Sequence, residues 1–111
     1  MRNCYLGITP RVPLGWSAGV AAAAFIAYLA LAPGVASEGD GGELTLALAL
    51  GGVPHPTGYP IYVLLGRVFC ATLHAAGISY WYAANAWSAA GAALAVFFLH
   101  ALASRLGPAR S

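Results

Sequence analysis

Two long stretches without one Asp, Glu, Lys, Arg or His constrain this chain more than any other feature. The first runs from Val12 to Ser37; the second opens at Tyr80 and meets no such residue before His100. A helix needs about 20 apolar residues, at about 1.5 Å rise each, to cross a bilayer, and both stretches supply them. Gly15 to Leu31 is apolar almost throughout, with Trp16 near its start, where an indole favours the headgroup region, and Pro33-Gly34 at its end. The second stretch begins Tyr80-Trp81-Tyr82 and closes on Arg105, followed by Gly107-Pro108. Composition leads the same way: 60% of the 111 residues are hydrophobic and only 7% charged. Soluble domains carry roughly a quarter charged residues, and a small one cannot hide this much apolar surface. The predicted fold class is all-α and integral to a membrane.

The segment between the two stretches is different in character. Residues 34–60 hold seven glycines and all three carboxylates of the chain, Glu38, Asp40 and Glu43. Leu44 to Leu50 alternates small and large apolar residues and fits a short interfacial helix. Val53-Pro54-His55-Pro56-Thr57-Gly58-Tyr59-Pro60 follows, with three prolines that no continuous helix tolerates. Residues 61–78 are apolar but interrupted by Arg67 and His74. Steps of three and four place Tyr62, Leu65, Phe69 and Leu73 on one side, the pattern of an interfacial or re-entrant helix.

The expected layout is therefore a cytoplasmic lead (1–11), a transmembrane helix (12–33), an outer loop (34–60), an interfacial or membrane helix (61–78), a transmembrane helix (79–104) and a tail (105–111). With two full spans Arg2, Arg11, Arg105 and Arg110 share one face, as the positive-inside rule prefers, and the acidic loop is extracytoplasmic. Three transmembrane helices are the alternative, and would place Arg105 and Arg110 outside. A secretory signal peptide is the rival reading of the first stretch, with Val35-Ala36-Ser37 as its cleavage site. The apolar run exceeds a usual signal core and more membrane segment follows, which favours a retained span.

Several function classes drop out. Five scattered arginines and no lysine do not make a nucleic-acid surface. Cys4 and Cys70 lie far apart in unlike contexts, so neither a disulfide nor a metal pair is expected; both read as small apolar residues. No metal site and no cofactor is expected. Gly15 and Gly19 are spaced as GxxxG, and Ala84, Ser88, Gly91 and Ala95 form a small-residue face. Such faces let helices approach closely in lipid, so other transmembrane helices are expected partners; an alanine-rich composition alone is the bland reading.

The chemistry-bearing pattern runs Ala32-Pro33-Gly34-Val35, Asp40-Gly41-Gly42-Glu43, Leu50-Gly51-Gly52-Val53-Pro54-His55-Pro56-Thr57-Gly58-Tyr59-Pro60 and Leu64-Leu65-Gly66-Arg67. It resembles domain-of-unknown-function family 2723, whose animal members are transmembrane protein O-mannosyltransferases, over about residues 20–106. That family has APxV at the end of its first span, a D-S-G-E motif and the signature LGVxHPPGYPLYxLLGR. Here Gly41-Gly42 replaces Ser-Gly, Thr57 stands for a proline, and an extra glycine pairs Gly51 with Gly52. Family members carry many more spans, so an N-terminal fragment, inactive alone, is expected.

The resemblance implies a GT-C-type polytopic glycosyltransferase that moves a mannose-like sugar from a polyprenyl-phosphate donor to an extracytoplasmic acceptor. A carboxylate of the first outer loop would act as general base on the acceptor hydroxyl. Asp40 matches the first acid of the motif and Glu43 the second, so these are the candidate catalytic residues. Partial desolvation near a membrane surface raises a carboxylate toward useful basicity, which agrees with that role. His55, Tyr59 and Arg67 are the candidate substrate-binding residues. Each has a plainer reading. An acidic Gly-rich loop is ordinarily solvated linker, His55 caps the loop, and Tyr59 anchors at the interface. Arg67 snorkels, or pairs with Asp40, Glu43 or a lipid phosphate. His74 and His100 read as interfacial bystanders. Membrane lipid and the lipid-linked sugar are the expected partners, and a bacterial inner (plasma) membrane the expected location. The competing function is a small non-catalytic membrane subunit that packs with other helices.

Overall fold

A computed structural model describes residues 12–33, 39–54 and 59–106. Across these the chain is helical, with no strand: α1 Leu14–Leu31, α2 Asp40–Leu50, α3 Pro60–Ala75 and α4 Tyr80–Leu106. Arg2, Cys4, Arg11, Glu38, His55 and Arg110 fall outside the described residues.

Local chemistry sets the helix limits. Ala32 is extended at the end of α1 (φ −63°, ψ 129°) because the ring of Pro33 disfavours the helical region for the residue before it. Gly39 precedes α2 at φ 86°, ψ −153°, a region open essentially to glycine alone. Asp40 and Glu43 occupy the first turn of α2, where the helix dipole favours negative charge. The helix thus starts four residues before Leu44, and part of the expected outer loop is helical. Pro60 sits at the first position of α3, where its missing N–H costs nothing.

α1 (18 residues) and α4 (27 residues) are long and apolar enough to cross a membrane. Their outer surfaces are apolar too: Trp16, Ile26, Leu31, Phe98, Leu99 and Leu102 are all exposed. A helix that is apolar on every side and still exposed suits lipid rather than water. α3, at 16 residues and so about 24 Å, falls short of a hydrocarbon core of about 30 Å. The architecture is two candidate spans plus one shorter apolar helix.

α4 is the element that everything else packs on. α1 runs along α4 from the level of Asn85 to that of His100 and, among the described residues, packs on α4 alone; α2 and α3 lie against α4 and against each other. The α1–α4 seam is built from small side chains, with Ala86, Ala89, Ala93 and Ala101 buried along α4. It is pinned near both ends. Ser17, 1% exposed, shares a 2.9 Å hydrogen bond with His100 Nδ1, and the Asn85 side-chain amide donates to the Pro33 carbonyl at 3.1 Å. The two helices are therefore antiparallel, with Leu14 and Arg105 at one end. His100 is no bystander, because it satisfies the one buried hydroxyl of α1.

At the other end Leu48, Cys70, Ala83 and Ala84 form a core, covered by Tyr62, Phe69, Leu73 and Trp87. Gly66 brings the three helices together: a Cβ there would stand 2.5 Å from Leu48 Cδ2 and 2.7 Å from Trp87 Nε1. The inward face of α3 is Tyr62, Val63, Gly66, Phe69, Cys70 and Leu73, while Leu65 is 57% exposed. The sequence spacing put Leu65 on the same side as Tyr62, Phe69 and Leu73; in the structure those three pack on the core while Leu65 does not. Burial pushes the Cys70 thiol up from its ordinary pKa, which leaves it an inert packing group.

Candidate active site

The site forms around Ser88 of α4. Three helices each bring one polar group there. Asp40 arrives on the first turn of α2, Tyr62 on the first turn of α3, and Ser88 from α4. Together with Leu44 and Tyr59 they line a cavity of about 380 Å³, within the size range of small-molecule sites. A smaller cavity of about 60 Å³ adjoins it through Leu44, Tyr62 and Ser88 and reaches Asn85. Ser88 lies about 26 Å along α4 from Arg105, so the cavity and the basic end of the bundle are at opposite ends of the spans.

Tyr59 is the strained member. Its φ of 37° and ψ of 55° put it in the left-handed region, which costs a residue with a Cβ on the order of 1 kcal/mol or more. It is the one non-glycine residue with positive φ among those described, and its ring is half exposed on the cavity wall. The Tyr62 hydroxyl and Ser88 Oγ are 3.0 Å apart, so a hydrogen bond ties α3 to α4 inside the lining. The Tyr62 ring in turn leans on Trp87, with ring centres 6.0 Å apart.

Of the residues singled out in the sequence, Asp40 and Tyr59 meet in this cavity. Glu43 lies on the same first turn of α2 but outside that lining. Both Asp40 and Glu43 have interaction partners of their own. Arg67 goes elsewhere. Its guanidinium covers Gly51, the left-handed C-cap of α2 (φ 82°), where an added Cβ would run into it. A cation there meets the negative end of the helix dipole and its last carbonyls. Asp40 and Gly51 are separated by the length of α2, about 16 Å, so Arg67 and the cavity sit at opposite ends of that helix. This also explains two pieces of the sequence pattern at once: the glycine of Leu50-Gly51-Gly52 makes room for the arginine of Leu64-Leu65-Gly66-Arg67. His74 closes the α3–α4 turn, with Nδ1 2.9 Å from the Ile78 carbonyl and its ring stacked on Tyr80 at 4.1 Å.

Tyr62 and Ser88 were not legible as site residues. The 3–4 periodicity assigns Tyr62 to a packing face, and its neighbours assign Ser88 to a small-residue face. Their hydroxyls were the signal, since packing alone would be served by Phe and Ala.

The lining combines a carboxylate and three hydroxyls with a largely apolar surface from Leu44 and the two tyrosine rings. The family model for the protein O-mannosyl-transferase TMEM260 N-terminal domain matches residues 40–110, which span α2, α3, α4 and the cavity. The chain belongs to that family. The match begins at Asp40, the residue that opens both the acidic motif and the cavity lining. No curated protein and no solved structure matches the chain.

Proposed function

We propose that this chain is the acceptor-activating part of a membrane mannosyltransferase that uses a polyprenyl-phosphate sugar. The observation that carries the reading is Asp40, first residue of the matched region, on the wall of a cavity beside the apolar spans. In this mechanism the Asp40 carboxylate takes the proton of an acceptor hydroxyl. The acceptor oxygen then bonds to the anomeric carbon as the bond to the phosphate oxygen breaks, and that electron pair leaves on the phosphate. One such displacement inverts the anomeric centre. Glu43 positions the acceptor from the same turn, and Tyr59 lies against the sugar ring.

The phosphate in such a donor is attached to the carbon under attack and so must come close to the base. Arg67, at the far end of α2, accordingly serves that helix rather than the phosphate. His55 remains a candidate for the phosphate and lies outside the described residues. The cavity faces the extracytoplasmic side of a plasma membrane, with Arg105 on the cytoplasmic side. Photocrosslinking tests the reading: a polyprenyl-phosphate mannose with a photoreactive group on the sugar, added to the chain in membranes, should label Asp40, Tyr59, Tyr62 or Ser88. Labelling confined to the outer faces of α1 and α4 would contradict it.

A further inference from the structure

We propose that the Tyr62–Ser88 hydroxyl pair reads a specific hydroxyl of the sugar in the Asp40 cavity, and so determines which sugar is accepted; this rests on the transferase reading above. The two oxygens are 3.0 Å apart and both line the cavity. Their mutual hydrogen bond uses one of the two O–H protons. The other proton, and most of the oxygen lone pairs, remain for a ligand. Each oxygen is held from its own helix. Tyr62 is fixed by its contact with Trp87 and by the close approach of α3 to α4 beside it, at Gly66. Ser88 is on a straight run of α4 between buried Ala84 and Ala89, and is itself exposed toward the cavity. Asp40, which only accepts when ionised, faces the same space from α2. A ring presenting two hydroxyls would meet an acceptor on one side and, on the other, a hydroxyl pair with one proton left to donate. A site built to bond a substrate hydroxyl discriminates strongly against an analogue lacking it, because its own polar groups are then left unpaired.

The plain alternative is that the pair only joins two helices, as hydroxyls do in membranes. A titration with defined probes separates the two. The full chain in phospholipid nanodiscs is titrated by NMR with methyl α-D-mannopyranoside and with its four monodeoxy analogues. The wild-type chain should bind the mannoside in a saturable way and bind one deoxy analogue several-fold more weakly. Tyr62→Phe and Ser88→Ala should each weaken the mannoside by about 3- to 10-fold and leave that one analogue unchanged, abolishing the preference. Ser88→Thr, which keeps the hydroxyl, should restore it. Three results would overturn the proposal: no saturable binding by the wild-type chain, mannoside affinity unchanged in both variants, or an equal loss for every probe accompanied by a lower melting temperature. Because binding is read rather than transfer, a failed role for Asp40 as base would leave this selectivity intact. A failed selectivity would leave the test of Asp40 standing.

Discussion

Replacing Gly66 by alanine tests whether α3 sits against α2 and α4 as described. The added methyl would lie 2.5 Å from Leu48 Cδ2 and 2.7 Å from Trp87 Nε1. Leu48 is only 2% exposed, and the Trp87 ring is in contact with those of Tyr62 and Phe69, so moving either neighbour disturbs the packing around it. Gly91 is the matched control: it too is inside a helix, yet a Cβ there meets nothing within 4 Å. Alanine gains about 1 kcal/mol of helix propensity over glycine at either position. That gain cancels in the comparison, and what remains is overpacking at Gly66, about 1–3 kcal/mol. Gly91→Ala should be neutral or up to about 1 kcal/mol more stable, and Gly66→Ala up to about 2 kcal/mol less stable. SDS-titrated unfolding in mixed micelles, followed by far-UV circular dichroism, measures both. Equal stability of the two variants would refute the packing argument.

Other consequences are open to the same kind of measurement. A double-mutant cycle on Ser17→Ala and His100→Ala should give a coupling of about 0.5–1.5 kcal/mol, since their hydrogen bond joins the helices inside the apolar seam; a coupling of zero would mean that they do not interact. Gly51→Ala should cost at least about 1 kcal/mol, because it places a Cβ both at positive φ and against the Arg67 guanidinium, whereas Arg67→Met should cost about 0.3–1 kcal/mol; an Arg67→Met variant as stable as the wild type would disprove the capping role of Arg67. For topology, single cysteines at the exposed Val53 and at Ser111, in a background without Cys4 and Cys70, should react with impermeant thiol reagents from opposite sides of the membrane. Reaction of both from one side would exclude the two-span arrangement.

The spans were legible because lipid leaves a signature that no neighbouring element can overwrite: two apolar runs free of charge, bounded by Trp16 and Pro33 or by Tyr80 and Arg105. The start of α2 was not, because Gly41-Gly42 reads as loop, and only the dihedral angles of Gly39 show how the chain enters a helix there. Asp40 stood out as a carboxylate in a chain with few of them, and Tyr59 stood out within its proline-rich run. Tyr62, Ser88 and the Ser17–His100 bond depend on which helices face each other, and periodicity within one helix carries no such information. Arg67 shows the same limit: its charge was evident in the sequence, but its place over Gly51 follows only from the packing of α2 on α3.

The most direct test of the central claim is the rate of mannosyl transfer after Asp40→Asn is introduced at the aligned position of a transfer-competent member of this family. The substitution keeps the shape of the side chain and removes its basicity. If Asp40 takes the acceptor proton in the transition state, the rate should fall by about 10² to 10⁴-fold with donor binding unchanged. Glu43→Gln, examined in parallel, should cost less, because Glu43 stands outside the cavity lining. Transfer by the Asp40→Asn variant at close to the wild-type rate would contradict the account.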